Sequence, residues 1–316
     1  MSDRKIIAVI GATGAQGGGL VRAICADTEG GFAARAITRN PDSAKAKALA
    51  ELRAEVVEAD LDDAASLEAA FAGAHAAFCV TNFWEHGSPE KEIAQATALA
   101  NAAKTAGVQH AIWSTLEDTR RWVPLDDDRM PTLLGKYKVP HFDAKGESDA
   151  AFAEAGVPTT YLLTSFYWDN LIHFGMGPKP GEDGTLRLVL PMGTKRLPGI
   201  AAADIGQCAY GIYEEGDAWI GKRVGVAGEH LTGAEMASSL GDVLGRPVVY
   251  QAVTPEAYRG SGFPGAEDLG NMFQFKQEFN DDFCAARDVA TSRQLNRSLQ
   301  DFRSWLSAHV ADIPTE

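Results

Sequence analysis

The first 165 residues alternate short apolar runs with stretches of helical spacing, and the runs are apolar almost throughout rather than on every second residue. Candidate strands are 5–11 (KIIAVIG), 33–39, 54–60, 75–81, 110–115 and 159–165. Candidate helices fill 15–27, 42–53, 63–72, 89–106 and 142–155. Strands without polar alternation are buried on both faces, as in a parallel sheet. A parallel neighbour is reached only through a crossover, and the intervening helices supply right-handed ones. The pattern predicts an α/β fold with a doubly wound parallel sheet.

After residue 170 the texture changes. Residues 174–184 are rich in Gly and Pro, 185–190 (TLRLVL) read as a strand, and 190–199 as a turn-rich link. Helical spacing returns over 201–215 and 231–245, strands over 222–228 and 246–253, and the last fifty residues are mostly helical. We therefore expect a domain over 1–165, with 201–228 returning to it. A smaller α+β C-terminal domain over 166–316 is expected to pack over the carboxyl ends of the parallel strands.

The first strand leads into IGATGAQGGGLV, with glycines at Gly11, Gly14 and Gly17. Gly11 allows a tight turn out of the strand, Gly14 lets backbone N–H groups approach a pyrophosphate, and Gly17 lets the helix pack against the sheet. The helix N-terminus adds unpaired donors and partial positive charge. A strand before and a helix after are the context that such a motif needs. The sheet is thus expected to be an NAD(P)-binding Rossmann fold.

The second strand ends Thr38-Arg39-Asn40, without the acid that usually binds a ribose 2′-hydroxyl. An arginine fork suits a 2′-phosphate, so NADP(H) is expected over NAD(H). Asp60 closes the third strand, where it can accept from an adenine amino group, and Thr81-Asn82-Phe83-Trp84 follow the fourth. Ligands of open α/β sheets sit at those carboxyl ends.

A net charge of −14 repels polyphosphates, so direct nucleic-acid binding is not expected. The basic pairs Arg120/Arg121 and Lys136/Lys138 are short and read as solvated surface. The four cysteines form no CxxC and no zinc-ligand spacing, so no metal site is expected and a reducing compartment is. No apolar run reaches about 18 residues and the N-terminus runs straight into a strand, which predicts no membrane span and no signal peptide. The expected location is cytoplasmic, with the nucleus also open.

In order along the chain, GATGAQGGG, TRNP, VTNFWE, PHFDAKGE, YWDNL and GFPGAEDLGNMF resemble the NmrA-like atypical short-chain dehydrogenases/reductases, most of all the HSCARG-type NADPH sensors. The resemblance covers nearly the whole chain. It implies that Gly11, Thr13, Gly14, Ala15, Gln16 and Gly17 hold the pyrophosphate, Thr38, Arg39 and Asn40 the adenosine 2′-phosphate, and Asp60 and Leu61 the adenine. Thr81, Asn82 and Phe83 would follow the cofactor, Lys145 would hold the nicotinamide ribose, and Phe166, Tyr167 and Asn170 would lie near the nicotinamide. The sequence departs from the pattern where Asp42 and Ser43 follow Pro41, since relatives often carry a base there. The segment 120–139 is also longer than in relatives, and reads as a surface loop more than as a lid.

Typical members of the wider dehydrogenase group use Tyr-x-x-x-Lys, in which the tyrosine moves the proton and the lysine lowers its pKa. Here His141 stands four residues before Lys145. Neither Tyr137 nor Tyr167 has that spacing, while Ser114 is available for the serine that the family places after its fifth strand. Three readings follow. The chain is a redox sensor with little or no turnover, which the missing tyrosine favours. Or His141 is the general acid of an NADPH-dependent reductase of a carbonyl, quinone or conjugated alkene. Or His141 only starts a helix. Trp84, Tyr167 and Trp168 are the candidate substrate residues. A sensor would also need a protein partner or self-association, and 262–275, with Met272 and Phe273, is the candidate surface, although packing of this run on the Rossmann domain is the better reading.

Overall fold

The computed structural model describes residues 4–315. Its seven-stranded sheet is parallel throughout, in the order β11-β6-β5-β4-β1-β2-β3. The strands are β1 (Lys5–Val9), β2 (Phe32–Thr38), β3 (Glu55–Glu58), β4 (Ala76–Cys79), β5 (His110–Thr115), β6 (Thr159–Leu163) and, at the edge, β11 (Arg223–Gly225). The crossovers are α1 (Ala15–Ala26), α2 (Ala44–Glu51), α3 (Ala64–Phe71), α5 (Pro89–Thr105, after the single turn α4, Phe83–His86) and α6 (Pro140–Ala155). This is the doubly wound, Rossmann-type arrangement, and the strand order reverses at β1, where such sheets bind ligands.

Successive strand residues point to opposite faces, and both faces are covered. Ile7 and Val9 join one core with Leu20 and Ile24 of α1 and Ile205 and Ile212 of α8 (Ala202–Glu215). Ala8 and Ile10 join the other with Phe71, Leu99 and Phe152 of α3, α5 and α6. The apolar continuity of the strands is thus the direct imprint of two-sided burial.

The remaining chain builds two small sheets and a helical layer. β10 (Arg196–Ile200) pairs antiparallel with β12 (Glu229–Thr232) and parallel with β7 (Phe166–Tyr167). β9 (Leu186–Leu190) lies between β13 (Val248–Ala252) and β8 (Lys179–Pro180). The helices are α7 (Asn170–His173), α9 (Gly233–Leu244), α10 (Pro255–Arg259), α11 (Ala266–Glu278), α12 (Asn280–Ala285), α13 (Val289–Leu295) and α14 (Phe302–His309). The link over 190–199, read as turns, contains most of β10: Pro198 and Gly199 look like turn residues but lie in a paired strand.

Two segments of this half whose place the sequence leaves open are fixed by their packing. The run around Met272 and Phe273 is not an exposed surface; both are buried, with Phe275, in the C-terminal core. Segment 120–139 lines no part of the central cavity and is fastened to α11: Asn271 Nδ2 donates to Pro131 O and Lys138 O, and Gln274 Nε2 donates to Arg129 O. The Lys138 ammonium is itself buried on the carbonyls of Asp127 and Met130. No described helix is long and apolar enough to cross a membrane.

Candidate active site at the strand ends

One cavity of about 1500 Å³ opens along the carboxyl ends of β1, β2, β4 and β5 and runs under the C-terminal half. At its floor, Gly11 takes φ +64° to turn out of β1. A Cβ on Gly17 would stand 2.5 Å from Gly11 O, so only glycine lets α1 start this close to the strand. The first turn of α1 contains no acidic side chain, and its leading N–H groups have no carbonyl within the helix to bond. This is a place for a phosphate anion.

Every residue assigned to the dinucleotide from the sequence lines this cavity, as do His141 and Trp84. Trp168 does not. Its side chain is 1% exposed and packs on Phe302 and Trp305 in the C-terminal core, so it has no surface to offer a substrate.

At one end of the cleft, the Arg39 guanidinium makes a two-pronged contact with Glu85, both side chains being exposed. Lys45, and Lys91 paired with Asp62, line the same end. Glu85 was not singled out from the sequence, and it competes for the group expected to receive a 2′-phosphate.

In the middle, Gln16 ties the glycine loop to the opposite wall. Ser114 Oγ donates to Gln16 Oε1 at 2.8 Å, and Gln16 Nε2 donates to the Tyr167 hydroxyl at 2.6 Å. Burial pushes the Tyr167 phenol up from its ordinary value, against its hydrogen bonds with Thr164 and Gln16.

Lys145 projects from α6 to β4. Its Nζ donates to Thr81 Oγ1 at 2.7 Å and lies 2.8 Å from Glu92 Oε1, while Thr81 Oγ1 donates to the same carboxylate. The ammonium also lies 5.0 Å from the centre of the Trp113 ring, within cation–π range. Glu92, on α5, is fully buried.

His141 stands in the first turn of α6. Its Nδ1 is 2.6 Å from Asp268 Oδ1, and its backbone N–H donates to Asp268 Oδ2 at 3.2 Å. Asp268 therefore caps α6 from α11 and holds the imidazole at once. The ring is enclosed by Trp84 and Phe142, with centroids at 4.9 and 4.8 Å. An acceptor on Nδ1 directs the proton there and leaves Nε2 as the other polar atom of the ring. Asp268 and Glu92 were both missed as site residues, because nothing local marks an acid as the partner of a distant side chain.

Among known proteins, the family model for the NmrA-like family matches residues 3–305. The chain is 30% identical to the NmrA-like family domain-containing oxidoreductase FrzB of Cladobotryum sp, over 93% of this chain and 90% of that protein. It is 29% identical to the NmrA-like family domain-containing oxidoreductase lnbB of Aspergillus flavus, over 87% of this chain and 84% of that one. The solved structures of NmrA, a negative transcriptional regulator, in complex with NAD and with NADP share 24% identity. They cover 97% of this chain and 95% of theirs, with TM-scores of 0.78 and 0.77.

Proposed function

The chain belongs to the NmrA-like family, and from that premise we propose that it binds NADP(H) along the strand ends and reduces an apolar, conjugated acceptor such as a carbonyl or quinone. One observation carries the second half of this reading. The cavity continues past the residues expected to hold the dinucleotide into an apolar chamber lined by Phe142, Met176, Tyr258, Leu269 and Met272. Exposed Phe174 (68%), Val189 and Phe263 also line it, together with Lys179 and Arg187. A single ligand pocket is about 300–1,000 Å³, so this volume suits two ligands side by side. The names of the two fungal relatives agree with an oxidoreductase.

The residues present fit a nicotinamide dinucleotide. The unpaired N–H groups of α1 receive the pyrophosphate, Arg39 the 2′-phosphate, and Lys145 the ribose hydroxyls. Bound there, the dinucleotide supplies or takes up hydride. The chain itself orients the acceptor and excludes water, and His141, its Nδ1 fixed by Asp268, is the ring positioned to hold or release a proton through Nε2.

The sensor reading keeps one observation in its favour. The tie between His141 and Asp268 joins α6 to α11, so a ligand that disturbs His141 also disturbs the packing of the two halves. A sensor requires different affinities for reduced and oxidised cofactor.

Calorimetric titration with NADPH, NADP⁺, NADH and NAD⁺, followed by NADPH consumption at 340 nm with menadione and aromatic aldehydes, tests the proposal. Preference for the phosphorylated pair and steady consumption that falls in His141→Phe are expected. No turnover over the panel, together with a large affinity gap between NADPH and NADP⁺, would replace the reductase reading with the sensor. Absent binding would overturn both.

A further inference from the structure

The chamber beyond the cofactor residues is lined by a buried cationic side chain that nothing above uses. Lys276, on α11, is 3% exposed and lines the cavity. It follows Asp268 and Met272 at steps of four residues, so the three share the face of α11 that meets α6. Its Nζ lies 5.3–5.6 Å from the ring centres of Phe142, Phe273 and Phe283. Its hydrogen-bonding neighbour among the described residues is Met272 Sδ, at 3.2 Å.

An ammonium carries three donors, and a thioether is a weak acceptor. Ring faces attract the charge but take no strong hydrogen bond from it. Buried charges are ordinarily paired with an acceptor, because leaving one unpaired is costly. Lys145, in the same cleft, follows that rule, since it has both Glu92 and Thr81. Lys276 lacks such a partner, and its surroundings show the cost. Burial pushes its ammonium down to about 7; Arg287 adds to this, and Glu117, held in the buried pair with Arg287, opposes it.

We propose that Lys276 is the anchor for the substrate's oxygen: the chamber binds an aromatic ketone or quinone whose carbonyl accepts a hydrogen bond from Lys276 Nζ, with the ring system among Phe142, Met272 and Tyr258. The assignment rests on the reductase reading and adds to it a substrate class and a contact. A flat apolar body fits the chamber walls, and one oxygen supplies the acceptor that the amine lacks. A ligand without an acceptor would leave Lys276 with Met272 Sδ alone.

The test compares two probes with the same ring skeleton, menadione and 2-methylnaphthalene. Their binding to the full-length protein, with and without NADP⁺, is measured by equilibrium dialysis. The wild-type protein is expected to prefer menadione by about 10-fold or more, the size of one hydrogen bond from a charged donor. Lys276→Met, close in shape, should bind both probes alike while its NADP⁺ titration stays unchanged. Lys276→Gln, which keeps a donor without the charge, should retain part of the preference and serves if the methionine variant does not fold. No preference in the wild type, or a preference that survives in Lys276→Met, would overturn the assignment. Failure of NADP⁺ to bind, with the menadione preference present and Lys276-dependent, would instead sink the cofactor reading and leave this contact standing.

Discussion

Replacing Lys145 with methionine is expected to damage the fold as well as cofactor binding. Glu92 is fully buried, and its charge is balanced by an ammonium 2.8 Å away whose own side chain is only 11% exposed. Removing one partner of a buried pair costs about 3–5 kcal/mol, because the other charge is left uncompensated. Among the described residues, the His86 imidazole, with Nε2 3.4 Å from Glu92 Oε2, is the other group placed to soften the loss. With an unfolding entropy of about 2.1 cal/mol/K per residue, this chain should lose roughly 5–8 °C in Tm. Glu92→Gln alone should cost less, about 1–2 kcal/mol, since Lys145 keeps Thr81 and has some access to water. The double variant Lys145→Met/Glu92→Gln should recover part of the loss in the lysine variant, a coupling of about 2–3 kcal/mol. Urea unfolding followed by tryptophan fluorescence and by far-ultraviolet dichroism provides the four corners of the cycle. A lysine variant within 1 kcal/mol of wild type, or a coupling near zero, would refute the picture of a charged, mutually dependent pair. It would also return Lys145 to a role in ligand binding alone.

Two further predictions follow from charges at opposite ends of the molecule. Freeing Arg39 by Glu85→Gln should tighten NADPH binding about 2–5-fold, the range of an exposed ion pair, and leave NADH unaffected; Arg39→Ala should weaken NADPH alone. Equal shifts for both cofactors in a calorimetric titration would show that Arg39 does not meet the 2′-phosphate. His110, buried on β5 with Nε2 2.8 Å from Thr160 Oγ1, is pushed down to about 4 by burial. Its neutral form is favoured in the fold, so the unfolded chain binds the extra proton between pH 6.5 and about 4. Stability should therefore fall with acid across that window, by roughly 3 kcal/mol in total. His110→Asn should flatten this slope, and an unchanged slope in pH-dependent urea unfolding would count against the assignment.

The fold was legible because its signal is local. The inner strands of the parallel sheet had to be apolar on both faces, and β1, β2, β4, β5 and β6 largely carry that pattern within four to seven residues, whereas the edge strand β3 reads EVVE. β10 was hidden because its pairing with β12 and β7, and not its composition, makes Pro198 and Gly199 strand residues. The candidate site divides in the same way. Gly11 and Gly17 are dictated by the turn beside them and could be read from spacing, while the groups that complete the site arrive from far along the chain. Glu92 reads as one of the acids that start α5, Asp268 as one that starts α11, and Lys276 as a base that ends it. Each is favourable at its helix terminus for reasons of the dipole alone, which masks any second role. Their partners distinguish them. A lysine neutralised by a buried carboxylate, as Lys145 is, offers a ligand hydrogen-bond donors with little added charge, which suits ribose hydroxyls. A lysine among phenylalanine rings, as Lys276 is, offers charge and donors together, and so selects for an oxygen that bears electron density. Lys145 and Lys276 are thereby assigned to different ligands, and giving Lys276 a carboxylate by Met272→Glu should weaken menadione binding in equilibrium dialysis while cofactor binding changes little.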